Sequence, residues 1–144
     1  MAISLHLIDG MVRSGFDSAD SLSGIFALVV DSEKERRALV GSILKYCGAL
    51  VAPAETTEAA LAVMELLKPD VIIVEFSSLD DGGLTFIRAL RALEPEEGGM
   101  VATVAIADDR SNADLARSRG FDAYVIKPLE PWELCRVVAS VLRV

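Results

Sequence analysis

Histidine is almost missing from this 144-residue chain, His6 being the only one. A lone histidine outside the regular part of the sequence excludes a Ser–His–Asp relay and a histidine-based metal cluster. Cysteine is nearly as scarce. Cys47 and Cys135 each sit inside an apolar helical pattern, and neither has a CxxC neighbour. Both read as small buried hydrophobes in a reducing compartment. No apolar run approaches the roughly 18–20 residues of a membrane span. The opening MAISLHLIDGMVRSGF lacks a basic stretch ahead of an apolar one, so it does not read as a secretion signal and the cytoplasm is the expected compartment. Positive charge is also short, with 14 Lys and Arg against 22 Asp and Glu for a net −8. That balance argues against a nucleic acid partner and against an anionic membrane surface. A basic protein partner remains allowed.

What is present is aliphatic: 52% of the residues are hydrophobic and only 6% aromatic. Such a bias suits a sheet buried on both faces, whose strands read as continuous apolar runs. Residues 1–24 stand apart as an N-terminal arm, with a short apolar start followed by a Ser/Asp/Gly-rich stretch. The arm reads either as a docking helix or strand or as a disordered linker. From residue 25 a regular alternation begins. Five short apolar runs are expected as strands: Ile25–Val30, Ala49–Pro53, Val71–Val74, Val101–Ile106 and Ala123–Ile126. Helical spacing is expected between them, over Glu33–Cys47, from Thr56 or Thr57 to Leu67, over Leu84–Leu93, near Ser111–Ser118, and from Pro131 onward. Ser32 reads as the cap of the first helix with Glu35 as its capping-box partner. Five βα units with short links imply a doubly wound parallel sheet, a flavodoxin-like (βα)5 architecture.

Ligands of an open parallel sheet sit beyond the carboxyl ends of its strands. There the chain places Asp31 and Ser32, Glu75, Ala107 and Asp108, and Lys127. Two acids and a lysine should share one cleft. This set, together with Val29-Val-Asp31-Ser-Glu33, Pro69-Asp-Val-Ile-Ile-Val-Glu75, Asp81-Gly-Gly-Leu84 and Gly120-Phe-Asp-Ala-Tyr-Val-Ile-Lys127-Pro128, resembles the receiver domain of two-component response regulators. The resemblance covers about residues 25–144. It implies a module of bacterial phosphorelay signalling in which an acid pair binds Mg²⁺ and an aspartate accepts phosphate. A hydroxyl residue and a lysine then hold the phosphoryl oxygens, and an aromatic reports the event. Asp31 matches the first acid, Lys127 the lysine and Tyr124 the aromatic. The Lys127–Pro128 bond is a cis candidate.

Three positions depart from the pattern: Ser32 replaces the second acid, Glu75 the acceptor aspartate and Ala107 the hydroxyl residue. A neutral ligand lowers affinity for a hard cation, so any Mg²⁺ site on Asp31 and Glu75 should be weak or absent. Glu75 reaches roughly 1.5 Å further than aspartate and carries one charge where an acyl phosphate would carry about −1.5 to −2. Ala107 cannot make the phosphoryl hydrogen bond. The expectation is a degenerate receiver that signals by binding and is not an enzyme. Its docking face would be formed by the fourth helix, fifth strand and last helix, including Ala113, Leu115, Tyr124, Trp132 and Arg136, for a protein partner or a second copy. The alternatives are a slow phosphoacceptor or a small flavodoxin-like enzyme. The last has no GxGxxG or GxxxxGK[ST] to support it. Blander readings stand beside the sharp ones. Lys127 neutralises a buried Glu75, Tyr124 is an edge-strand aromatic, Asp80 and Asp81 are solvated turn residues, Asp108-Asp109 caps the fourth helix, and Trp132 packs in the core. The chain reads equally as stand-alone or as a segment of a larger regulator.

Overall fold

Residues 21–142 are described by a computed structural model; the first twenty residues of the expected arm lie outside them. Five strands, β1 (Phe26–Val30), β2 (Leu50–Ala54), β3 (Val71–Glu75), β4 (Ala102–Ala107) and β5 (Ala123–Ile126), alternate with five helices. These are α1 (Lys34–Tyr46), α2 (Thr57–Leu67), α3 (Leu84–Arg91), α4 (Arg110–Ser118) and α5 (Pro131–Val141). All strand pairs are parallel, in the order β2-β1-β3-β4-β5. The expected doubly wound (βα)5 fold is therefore the observed one.

The side-chain period of two divides each strand between two cores. Ala27, Val29, Val71, Ile73 and Val104 face a layer closed by α1 and α5, with Val40, Ile43, Leu44, Leu134 and Val138. Leu28, Val30, Ile72, Val74 and Ala105 face the layer of α2, α3 and α4, with Met64, Phe86, Leu90 and Ala116. Every residue of β3 is buried, as expected for the central strand of a sheet covered on both faces.

Element ends moved by a residue or two, and some caps changed hands. Leu22, expected in the arm, is buried in the first core, and its N–H donates to the Cys47 carbonyl at 2.8 Å. Ser32 does not cap α1. Glu33 does, its carboxylate accepting from the Glu35 and Arg36 N–H groups at 3.3 and 2.8 Å, because Ser32 is drawn instead to Ser78. Of Asp108 and Asp109, only Asp109 caps α4, accepting from the Asn112 N–H at 2.9 Å. Asp81 holds φ +47 within a 3₁₀ stretch, and its carboxylate accepts from the Thr85 N–H and hydroxyl at the start of α3. Hydrogen bonding from Thr85 keeps that carboxyl below its ordinary range. Among the described residues, no helix is long and apolar enough to cross a membrane.

Candidate functional site

The carboxyl ends of β1, β3, β4 and β5 converge because the parallel register brings Glu75 level with Ile106 and Ala107 level with Ile126. β1 delivers Asp31 and β3 delivers Glu75; each is only 2% exposed. Beyond β5 the Lys127 N–H donates to the Ala107 carbonyl at 2.9 Å, and the Lys127–Pro128 peptide is cis.

Buried carboxylates require partners, and both find cations. Asp31 is held in a two-pronged bond by Arg36 of α1, with Nε to Oδ2 at 2.6 Å and Nη2 to Oδ1 at 2.7 Å. Its Oδ1 also accepts from the Glu33 N–H at 2.9 Å and the Ser78 hydroxyl at 3.2 Å. Glu75 Oε2 accepts from Lys127 Nζ at 2.9 Å and from the Ser77 hydroxyl at 2.8 Å. Glu75 Oε1 has no hydrogen-bond partner, but Arg36 Nε lies 3.5 Å away. Lys127 continues the row with a bond to Asp108 Oδ1 at 2.8 Å. The result is an alternating line of charge: Asp31, Arg36, Glu75, Lys127, Asp108.

The titration behaviour follows from these contacts. The Arg36 guanidinium is pushed above its ordinary range, first by its bond to Asp31. Burial works against the Lys127 ammonium, yet hydrogen bonds to Asp108 and Glu75 outweigh it and raise its pKa. Both groups stay charged across physiological pH.

Of the residues picked out in the sequence, Asp31, Glu75 and Lys127 meet. Ala107 is fully buried beside them with no hydroxyl to offer. Ser32 is exposed at the rim and turns to Ser78, with 3.1 Å between the hydroxyl oxygens. Tyr124 is half-buried against the α3–α4 core, and its hydroxyl accepts from Arg110 at 2.6 Å in an exposed bond. It does not touch the acid row. Trp132 is 36% exposed, so it lies at the surface instead of in the core, with the Arg136 guanidinium 6.0 Å from its ring centroid.

Arg36, Ser77, Ser78 and the pairing of Asp108 were missed. One signal for Arg36 was legible. Lys34, Arg36 and Arg37 crowd the first turn of α1, where the helix dipole disfavours cations. Three bases at that position call for nearby acids, which Asp31 and Glu75 supply.

Asp31 and Glu75 do not fit a Mg²⁺ ion in this arrangement. Such an ion needs their oxygens at about 2.0–2.1 Å in octahedral geometry, and the Arg36 guanidinium occupies the space between them. Next to the row, a cleft of about 320 Å³ opens between the turns after β2 and β3. Glu55, Glu58, Asp80 and Asp81 line it, a wall that repels an anionic phosphoryl donor.

Comparison with known proteins identifies the family and the fold. The family model of the response regulator receiver domain matches residues 27–139. An uncharacterized 14.6 kDa protein of Leptolyngbya boryana is 30% identical over 119 residues, covering 82% of this chain and 90% of that protein. The phosphate regulon transcriptional regulatory protein PhoB of Pseudomonas aeruginosa is 28% identical over 81% of this chain. The KDP operon transcriptional regulatory protein KdpE of Escherichia coli is 31% identical over 74% of it. The chain spans only about half the length of these two regulators, 51% and 46%. In fold it is similar to the chemotaxis response regulator CheY4 of Vibrio cholerae, with TM-score 0.72 and 22% identity over 82% of this chain and 98% of that one. The chain belongs to the response regulator receiver domain family of two-component signalling.

Proposed function

We propose that this receiver domain signals without being phosphorylated, as a cytoplasmic protein-interaction module with Glu75 in the place of the phosphoacceptor aspartate. One observation carries the reading: the buried Glu75 carboxylate already holds Lys127 at 2.9 Å, the contact a phosphoryl group would otherwise make. Three features support it. Arg36 stands where the metal would bind, Ala107 offers no hydroxyl, and the neighbouring cleft is lined with acids. The partner surface is the face of α4, β5 and α5, where Tyr124, Trp132 and Arg136 are accessible, whereas Ala113, expected on it, is fully buried and Leu115 packs against the core; it serves a protein partner or a second copy of the domain. The working unit begins with the turn that carries Leu22, ahead of residue 25 where its start was expected, with the preceding arm as a lead-in.

The test is incubation with acetyl phosphate and Mg²⁺, followed by intact-mass measurement. No mass increase is expected. A stoichiometric, base-labile gain of one phosphoryl group would sink the proposal. It would favour a slow phosphoacceptor instead, a reading whose one support is the donor-free Oε1 of Glu75, the atom a nucleophile would use.

A further inference from the structure

The chain holds only two cysteines, 88 positions apart in sequence, yet the fold brings them into contact. Cys47 closes the C-terminal end of α1, and Cys135 lies in the second turn of α5. Both are free thiols, 0% and 1% exposed, with their sulfurs in direct contact. Two scattered cysteines have no packing reason to coincide, since any small apolar residue fills such a site.

We propose that Cys47 and Cys135 are an oxidation site, a dithiol that closes to an intramolecular disulfide when it meets a small peroxide. The inference is independent of the phosphorylation-free reading.

The two thiols are not equivalent. The Cys47 thiol donates to the Cys135 sulfur, and the Cys135 thiol in turn donates to the Ile43 carbonyl at 3.9 Å. Cys47, at the end of α1 where its carbonyl is held by the Leu22 N–H, is the sulfur a peroxide reaches first, and it attacks as the thiolate, the nucleophile in thiol oxidation. It displaces hydroxide from hydrogen peroxide and becomes a sulfenic acid. The Cys135 sulfur then attacks the Cys47 sulfur, and the sulfenic hydroxyl leaves as water. Overall, two thiols and one peroxide give one disulfide and two waters.

Access is controlled by the turn before β1. Leu22 is 1% exposed, packs in the same core, and is pinned to the Cys47 carbonyl at 2.8 Å. Opening of this turn exposes the Cys47 end of the pair to a peroxide-sized molecule. The bond formed would tie the end of α1 to α5, the helix that carries Trp132 and Arg136.

The test treats the full chain with graded hydrogen peroxide, denatures it in an alkylating agent, and reads intact mass and peptide map. Met100, 80% exposed, serves as an internal gauge of dose. The expected result is loss of both alkylation sites and a Cys47–Cys135 cross-linked peptide at doses that leave most Met100 unoxidised. In Cys135→Ser, Cys47 should accumulate as a sulfenic acid that dimedone traps. Leu22→Ala should speed closure several-fold. Full oxidation of Met100 with both cysteines still alkylated in the wild-type chain overturns the proposal. So does dimedone trapping at the remaining cysteine of Cys47→Ser to the same extent as in Cys135→Ser.

Discussion

Replacing Arg36 with methionine keeps an unbranched apolar stem and removes the charged guanidinium head from the acid row. Asp31 then loses both prongs of its bond and Glu75 loses its 3.5 Å neighbour. Breaking a fully buried pair costs about 3–5 kcal/mol, and a contact ion pair at an effective dielectric of 20 is worth about 4 kcal/mol at 4 Å. Arg36 is 36% exposed, so water reaches its head group and the loss is discounted to roughly 2 kcal/mol. For a chain of this size that corresponds to a fall in Tm of about 6–10 °C. Removing the guanidinium also leaves two buried carboxylates facing each other, which should now accept a divalent ion. Mg²⁺ or Mn²⁺ at about 100 times its Kd would restore about 2.7 kcal/mol. The assay is thermal and urea denaturation, followed by circular dichroism and Trp132 fluorescence, with and without metal. The wild-type Tm should not move with metal, while the Arg36→Met Tm should drop and then recover. An equal metal response in both proteins, or an unchanged midpoint in the variant, would refute the assignment of Arg36 as the resident cation.

The pKa of Lys127 is raised in the folded state, so its stabilising effect is fully present below the ordinary value of about 10.5 and is lost as pH rises through the folded-state value. Lys127→Met should therefore lower the urea midpoint at pH 8 and flatten its decline above pH 10.5; an equally steep alkaline limb would contradict the pairing. Restoring the family pattern in one variant, Ser32→Asp, Arg36→Met, Glu75→Asp and Ala107→Thr, should yield a phosphoryl adduct with acetyl phosphate and Mg²⁺ where the wild type gives none, read by intact mass. Met64→Ala, at a fully buried position of α2, should cost about 2–5 kcal/mol in urea denaturation while leaving the metal response unchanged. Arg110→Ala removes the bond to Tyr124. It should change partner or self-association through the α4–β5–α5 face, measured by analytical ultracentrifugation, with less than about 0.5 kcal/mol lost in stability, the usual range for a surface substitution.

The five strands and five helices were legible because each element carries a strong local signal. β3 is an unbroken apolar run, α5 starts on Pro131, and α1 ends at Gly48, whose φ of +100 favours glycine. The meeting of Asp31, Glu75 and Lys127 was legible too, since topology alone sends the carboxyl ends of β1, β3 and β5 to one edge. Arg36 was not, because a helical cation is counted as a solvated surface residue unless the dipole penalty of its position is considered. Asp108 was read as a cap for the same local reason. Which of two adjacent acids caps α4 depends on where Lys127 arrives from β5, a contact nineteen residues away. The Cys47–Cys135 contact joins α1 to α5 across the whole chain, and no local pattern carries it.

The departures at the site make sense as one change in charge balance. The family pattern sets three carboxylates against one lysine and a divalent ion, which together neutralise each other. Here Ser32 removes one carboxylate, and Arg36 with Lys127 supplies two single positive charges for the two carboxylates that remain buried. Asp108, half exposed, adds a charge that water can screen. On the phosphorylation-free reading proposed above, neutrality is reached inside the chain by these pairs. The longer Glu75 is part of the same arrangement: its Oε2 meets Lys127 while its Oε1 stays within 3.5 Å of Arg36. An aspartate, roughly 1.5 Å shorter, would have to give up one of the two. Arg36 without Ser32 would leave an unbalanced acid, and Ser32 without Arg36 an under-charged metal site. Either alone would be a defect, whereas the two together close the row.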